Sequence, residues 1–430
     1  MEKRIKKCHT LHGEVVPPGD KSISHRAIIF NSMAAGEARV SNVSPGDDCL
    51  STIACMRALG VEISPLAPSV IKVKGVGKQG FREAEDVLDA GNSGTTMRLL
   101  TGLLAAQPFL SILTGDESLR SRPMDRFIVP LRLMGAEIWG RKGDSVAPLA
   151  IRGGRLKGIE YRLPVASAQL KSALLIAALF AQGSTTVEEP APSRDHTERL
   201  LQSMGAHLEK EGCKVTLFPN PAPLTPTDVN VPGDISSAAF WLVAGAVHPN
   251  ASIRVLNIGV NETRIGILEV LQAMGARLEV ENERSEGGEP VADIRIESGP
   301  LVATCIEGEI IPRLIDEIPV IAVAACLAKG TTVIRDAAEL RVKESDRISA
   351  TVQELSKLGA RMEELPDGMV IHGVERLRGA RCDSHQDHRL AMTLAMAGLV
   401  AEGETIIEHA DVVGVSYPGF WQDLEALSAQ

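Results

Sequence analysis

One phrase returns along the chain at a spacing of roughly 70 residues, and this recurrence restricts the fold more than any other feature. It reads Met56-Arg-Ala-Leu-Gly-Val-Glu-Ile63, Leu131-Arg-Leu-Met-Gly-Ala-Glu-Ile138, Leu201-Gln-Ser-Met-Gly-Ala-His-Leu208, Leu271-Gln-Ala-Met-Gly-Ala-Arg-Leu278 and Leu355-Ser-Lys-Leu-Gly-Ala-Arg-Met362. In each copy apolar residues at helical spacing stop at a glycine and an alternating run begins, which predicts a helix, a glycine cap and a strand. A second phrase precedes the first by half a unit: Ala35-Gly-Glu-Ala-Arg-Val-Ser-Asn-Val43, Gln182-Gly-Ser-Thr-Thr-Val-Glu-Glu189, Lys329-Gly-Thr-Thr-Val-Ile-Arg-Asp336 and Glu402-Gly-Glu-Thr-Ile-Ile-Glu-His409. Here helices of small residues end at glycine and give way to β-branched strands. Fainter counterparts lie near Gln107 to Leu113 and His248 to Leu256. Together the phrases define six units of two helices and several strands, most simply arranged as three per domain.

At 430 residues the chain exceeds what one hydrophobic core supports, so two domains are expected. Its 44% hydrophobic and 23% charged residues are those of an ordinary globular protein. The opening Met-Glu-Lys-Arg-Ile-Lys-Lys leads into no apolar h-region, which argues against a secretory signal. The most apolar stretches, Ala173 to Ala181 and Ile318 to Ala328, fall well short of the roughly 20 residues that cross a bilayer. Seven cysteines without a Cys-x-x-Cys pair suggest neither a disulfide framework nor a zinc site, and a cytoplasmic protein is expected. A net charge of −10 argues against nucleic acid as the main partner while allowing a locally basic pocket. The domain boundary is expected at Val231-Pro-Gly-Asp234, after the loop-like run Pro219 to Thr227, and Glu281 to Pro290 reads as a surface loop.

Charged and hydroxyl-bearing runs recur just ahead of apolar helices. Gly19-Asp-Lys-Ser-Ile-Ser-His-Arg26 reads as an anion cradle: Asp20 or Ser22 caps the following helix, its open amides face the ligand, and Lys21 and Arg26 supply charge. Asp89-Ala-Gly-Asn-Ser-Gly-Thr-Thr-Met-Arg98 is a second such loop, lacking the spacing of a Walker P-loop or a dinucleotide fingerprint. Leu119-Arg-Ser-Arg-Pro-Met-Asp-Arg126 gathers arginines suited to carboxylate or phosphate. Val165-Ala-Ser-Ala-Gln-Leu-Lys171 and Ser193-Arg-Asp-His-Thr197 add hydroxyl, amide and charge at further helix starts. Ile315-Asp-Glu-Ile318 places two acids in an apolar segment, where burial raises a carboxylate pKa and an unpaired charge is costly. In Leu340-Arg-Val-Lys-Glu-Ser-Asp-Arg347, Lys343 and Arg347 share one face if the run is helical. In Gln386-Asp-His-Arg389, His388 is either a general base or a residue oriented by Asp387. Lys21, Arg26, Arg98, Arg122, Arg194, Lys343, Arg347 and Arg389 thus recur at helix starts in both halves. Their convergence predicts a positive pocket for small polyanions, closed by domain movement.

Gly19 to Arg26, Gly91-Asn-Ser-Gly-Thr-Thr-Met-Arg98, Arg122-Pro-Met124, Ser167-Ala-Gln169, Arg341-Val-Lys-Glu-Ser-Asp-Arg347 and Asp387-His-Arg389 resemble, in order and over almost the whole chain, the signatures of the 5-enolpyruvylshikimate-3-phosphate synthase family. The resemblance implies a two-domain inside-out α/β barrel, each domain three βαβαββ repeats, with the active site in the interdomain cleft. Residues 19–232 would form the N-terminal domain, residues 1–18 and 233–430 the C-terminal one, with hinges near 17–20 and 231–234. It implies transfer of the enolpyruvyl group of phosphoenolpyruvate to the 5-hydroxyl of shikimate 3-phosphate, with loss of phosphate, on the route to chorismate and the aromatic amino acids. No metal or organic cofactor, no nucleic acid and no membrane is implied, and the expected state is a monomer.

Carried over by motif, Lys21, Ser22, Arg26, Ser167, Ala168, Gln169, Arg194, Asp316 and Lys343 hold shikimate 3-phosphate, and Lys21, Asn92, Gly94, Arg122, Gln169, Arg347 and Arg389 hold phosphoenolpyruvate. Asp316 takes the hydroxyl proton, and Glu344 or Lys21 protonates the vinyl carbon. Three departures stand out. Val415 replaces a common lysine near the C-terminal Tyr-Pro, Glu339 stands where asparagine is common, and Ser167-Ala-Gln169 with Ser193 to Thr197 resembles the second sequence subgroup. Two other readings are the sister transferase acting on UDP-N-acetylglucosamine, whose mobile-loop cysteine has no counterpart in Leu99 to Arg122, and a non-catalytic anion-binding repeat protein. In that subgroup glyphosate tolerance accompanies alanine at the position of Gly94, although Leu99 stands here where proline is common. Competition by glyphosate against phosphoenolpyruvate is therefore the expected outcome of a steady-state inhibition assay, and an inhibition constant far above the phosphoenolpyruvate KM counts against it.

Overall fold

The computed structural model describes residues 1–219 and 222–428. Asn220 and Pro221, in the proline-rich run, lie outside the described residues, and the remainder of that run carries no helix or strand. Each repeat follows one plan. The strand Leu88–Asp89 leads through the helix Gly94–Leu104 to a parallel strand, Leu110–Thr114. The helix Asp125–Met134 then leads to the antiparallel strands Glu137–Gly140 and Val146–Arg152, giving the spatial order first, second, fourth, third. The same order recurs in the sheets built around Ala35–Ser41, Thr185–Glu188, Ala251–Gly259 and Thr331–Ile334.

The chain divides into two compact units, one of Met1–Pro18, Pro232–Ser285 and Pro290–Gln430, the other of Gly19–Val231 and Glu286–Glu289. Two repeats of the first unit are completed by N-terminal strands. Leu11–Val15 pairs in parallel with Ala251–Gly259, and Lys3–Lys6 pairs antiparallel with Glu404–Glu408 in a three-stranded sheet. In the second unit Val229–Asn230 returns to pair in parallel with Ala35–Ser41.

The first helix of every repeat is buried on all sides almost throughout: Lys21–Met33, Gly94–Leu104 and Ala168–Ala178 in one unit, Ile235–Val247, Ile318–Leu327 and His388–Val400 in the other. The second helix of five of the repeats packs one face and ends at a left-handed glycine where the repeated phrase predicts it. Gly60, Gly135, Gly205, Gly275 and Gly359 have φ of 93°, 112°, 87°, 85° and 90°. Among the described residues no helix is long and apolar enough to cross a membrane.

The stretch Glu281 to Pro290, expected to be a surface loop, is instead the tip of a long hairpin between Arg277–Glu286 and Glu289–Glu297. Gly287 and Gly288, with φ of 60° and 83°, make its two-residue turn. Arg277–Glu286 alternates at Leu278 and Val280, but residues 281–286 are polar on both faces and lack the alternation by which strands are recognised.

The helices Gly94–Leu104 and Ala168–Ala178 approach so closely that a Cβ on Gly102 would lie 2.2 Å from the Ala173 carbonyl oxygen. Alanine at Gly102 gains about 1 kcal/mol of helix propensity, but backbone cannot yield as a side chain does. Gly102→Ala is expected to destabilise the protein by about 1–3 kcal/mol. Urea unfolding reads this, and an unchanged or raised midpoint would show that the two helices separate at no cost.

Candidate active site

In the unit that begins at Gly19, Asp20 caps the first helix, its carboxylate accepting from Ile23 N at 2.9 Å. The adjacent Lys21 pairs through Nζ with Asp48 Oδ2 at 2.8 Å. Arg26 is buried and holds three helix starts together: Nε donates to Thr197 Oγ1 at 2.7 Å, Nη2 to Ser172 Oγ at 2.7 Å and Nη1 to the carbonyl of Ser22 at 2.8 Å. Ser193 and Arg194 lie in the loop preceding the helix His196–Ser203. That loop is fixed by Lys171, whose buried ammonium meets Glu189 at 2.7 Å and Glu198 at 2.6 Å. Burial lowers the Lys171 pKa, but the two carboxylates outweigh it and the net direction is upward, so the ammonium stays charged.

The second loop gathers a separate group. Ser93 caps the helix Gly94–Leu104 through Thr96 N at 3.1 Å. Arg122 Nη2 donates to Asn92 Oδ1 at 2.8 Å, and Asn92 Nδ2 donates to Asp116 Oδ2 at 2.6 Å. A Cβ on Gly94 would lie 3.3 Å from Arg122 Nη1 and 3.4 Å from Arg98 Nη1, so both guanidinium groups border this glycine. Arg98 also donates through Nη1 to Gln169 Oε1, while Gln169 Nε2 donates to Thr95 Oγ1 at 2.9 Å. Ser167 caps the helix that carries Ala168 and Gln169, accepting from Leu170 N at 3.3 Å. Asn92, Gly94, Arg122 and Gln169, expected together from the sequence, are brought together, and Arg98 joins them. Its contact with Gln169 spans 71 residues, beyond what the local Met97-Arg98 pair announces.

In the other unit one guanidinium organises everything. Arg347, 1% exposed, donates through Nε to Asp387 Oδ2 at 2.7 Å, through Nη2 to Glu344 Oε2 at 2.6 Å and through Nη1 to Asp316 Oδ1 at 3.2 Å. Lys343 Nζ reaches Asp316 Oδ1 at 3.4 Å. Asp387 also caps the helix His388–Val400 through Arg389 N at 2.9 Å and accepts from Ser345 Oγ at 3.1 Å. Burial raises the Asp387 carboxyl, but Arg347 more than compensates and holds it below the usual carboxylate range. Burial likewise works against the Arg347 charge, yet Asp387 and Glu344 raise its pKa beyond that of an ordinary arginine. His388 is buried at the first helical position.

Lys343 and Arg347 do not share a helix face. The segment turns as a 3-10 helix over Ala338–Val342, Lys343 is extended, and the helix begins only at Arg347. Asp346 imposes this start: its carboxylate caps Ser349 N at 3.1 Å and is gripped by Arg341 Nη1 at 2.7 Å. Asp316 lies in the turn between Ile311–Leu314 and Ile318–Leu327, beside the buried Glu317, which receives a hydrogen bond from Ser236.

Residues 5–424 match the model of the EPSP synthase (3-phosphoshikimate 1-carboxyvinyltransferase) family. The chain belongs to the EPSP synthase family. A 3-phosphoshikimate 1-carboxyvinyltransferase of Desulforudis audaxviator is 56% identical over 427 residues, covering 99% of each chain. That of Herpetosiphon aurantiacus is 53% identical over 424 residues, 98% of each. A solved EPSP synthase structure from Acinetobacter baumannii is 42% identical, with a TM-score of 0.88 over 99% of this chain and 98% of that one. The six-repeat α/β architecture expected from the sequence is thus the EPSP synthase fold.

Asp387 is the residue on which the second cluster rests. With its pKa depressed on folding, its contribution to stability is complete above the unfolded value near ~3.9 and is lost as pH falls through the folded value. Asp387→Asn is expected to cost about 3 kcal/mol at neutral pH, and the gap to wild type should narrow below pH ~4. Urea titrations at both pH values measure it, and a gap independent of pH would mean that packing rather than charge is lost.

Proposed function

We propose that this chain transfers the enolpyruvyl group of phosphoenolpyruvate to the 5-hydroxyl of shikimate 3-phosphate through a tetrahedral ketal, releasing phosphate. The observation that carries the reading is the pairing of Arg347 with both Asp316 and Glu344, at 3.2 and 2.6 Å, in a chain of this family. Addition of the hydroxyl to C2 of phosphoenolpyruvate needs a base at the oxygen and an acid at C3; collapse of the ketal returns the proton and expels phosphate. In our assignment Asp316 is the base, and Glu344, with Lys21 as the alternative donor, is the acid. Arg347 holds both carboxylates in register while staying charged itself, so it also offsets the negative charge of the ketal.

Shikimate 3-phosphate is assigned to Lys21, Ser22, Arg26, Ser167, Ala168, Gln169, Arg194, Asp316 and Lys343. Support comes from the capped helix starts at Asp20 and Ser167, whose amides are oriented for anions. Phosphoenolpyruvate is assigned to Lys21, Asn92, Gly94, Arg122, Gln169, Arg347 and Arg389, to which Arg98 is added. The two guanidinium groups beside Gly94 supply planar, charge-assisted donors for its carboxylate and phosphate. A monomer working in the cytoplasm completes the reading.

Phosphate release with phosphoenolpyruvate and shikimate 3-phosphate is the direct test. Release only with UDP-N-acetylglucosamine as acceptor would transfer the chain to the sister reaction, and release with neither acceptor would reduce it to a binding protein. Asp316→Ala and Glu344→Gln are expected to lower kcat by about 10²–10⁴ with little change in KM. Arg122→Ala is expected chiefly to raise the KM for phosphoenolpyruvate, by about ten-fold or more. An unchanged kcat in the carboxylate variants would remove them from the proton transfers.

A further inference from the structure

Below Lys21 and Gly94 runs a chain of buried side-chain hydrogen bonds to which the reaction assigns no part. Lys21 and His25 are one turn apart on the helix Lys21–Met33, as Asp48 and Thr52 are on the helix Asp47–Ala58. The two pairs form successive rungs, Lys21 Nζ to Asp48 Oδ2 at 2.8 Å and His25 Nδ1 to Thr52 Oγ1 at 2.7 Å. Thr52 Oγ1 is also 2.6 Å from Thr96 Oγ1 on the helix Gly94–Leu104. Thr96 Oγ1 in turn lies 2.7 Å from Ser93 Oγ and 3.3 Å from the Asp48 carbonyl oxygen. His25, Thr52, Ser93 and Thr96 are all 0% exposed, so no water competes for these bonds.

The order of the protons follows from counting donors. A hydroxyl has one hydrogen to donate, and the Asp48 carbonyl can only accept. Thr96 therefore donates away from Thr52, toward that carbonyl or Ser93, and Thr52 donates to Thr96. Thr52 must then accept from His25, which places the ring hydrogen on Nδ1. His25 Nε2 is buried without a hydrogen-bond partner, and under this order it is a bare lone pair. The reverse order would leave a buried N–H unpaired there, the rarer and more costly orphan. Burial, and after it the charges of Lys21 and Arg26, hold the His25 pKa well below its ordinary value, so the ring is neutral.

We propose that His25, Thr52 and Thr96 form a positioning relay, with His25 as the Nδ1–H tautomer, that fixes the start of the helix bearing Lys21 relative to the start of the helix bearing Gly94 and Arg98. The relay touches neither substrate. The helix Gly94–Leu104 carries groups assigned to phosphoenolpyruvate alone, so slack between Thr52 and Thr96 displaces that substrate's contacts before those of shikimate 3-phosphate. This consequence rests on the enolpyruvyl-transfer reading; the tautomer does not.

Thr52→Val keeps the shape and removes the hydroxyl, and Thr52→Ser restores it. Valine is expected to raise the KM for phosphoenolpyruvate by about ten-fold while that for shikimate 3-phosphate changes about two-fold or less, and serine should return both toward wild type. In the wild-type protein, 15N spectra of labelled histidine should show His25 protonated on Nδ1 and neutral at neutral pH. Equal losses in both KM values, or a serine variant no better than valine, would make the contact mere packing and overturn the positioning role. An Nε2–H signal for His25 would overturn the proton order. If the wild type releases no phosphate with either acceptor, the functional reading fails, and the tautomer still decides whether the relay is built as proposed.

Discussion

Six helices buried on every side must each begin inside protein, and much of this structure follows from that constraint. The first four amides of a helix have no partner within it. Here Asp20, Ser93, Ser167, Asp234 and Asp387 satisfy part of that need with a side-chain oxygen, while Ile318–Leu327 begins after Glu317 with proline in its first turn. A helix start that is capped, buried and stripped of water on its flanks is also where an anion is best received. One requirement therefore puts the caps and the cations or amides that our reading assigns to anions at the same end of the first helix in four of the repeats.

The signatures in the sequence record this double duty. Each combines a cap with a cation or amide: Asp20 with Lys21, Ser93 with Arg98, Ser167 with Gln169, Asp387 with Arg389. Helix starts, glycine stops and repeat number were legible because they are local properties, set by residues within one turn of each other. The five left-handed glycines after the second helices show how little tertiary context such a signal needs.

What could not be read depends on pairing across the chain or on competition between neighbours. Lys3–Lys6 completes a sheet with Glu404–Glu408, and nothing in three cations around one isoleucine announces a partner some 400 positions away. The far part of the hairpin arm Arg277–Glu286 was hidden because both faces of residues 281–286 are polar. The Arg341 to Arg347 run looked continuous with the helix that follows, but capping by Asp346 ends that continuity. In doing so it turns Lys343 and Arg347 onto the same carboxylate by a different path, with Asp316 Oδ1 between them at 3.4 and 3.2 Å. Both cations reach one carboxylate although the shared helix face expected for them does not form.

Around Arg347 two side-chain cations, Arg347 and Lys343, stand among three carboxylates, Asp316, Glu344 and Asp387. A largely buried group of that kind is stable only because its charges are paired and hydrogen-bonded. Asp387 is committed twice over, to Arg347 and to the amide of Arg389, and its depressed pKa shows that it stays ionised. Asp316 accepts from both Arg347 and Lys343, and Glu344 accepts from Arg347. The guanidinium thus gathers three acids that stand far apart in the sequence, one of which, Asp387, also anchors the start of the helix His388–Val400.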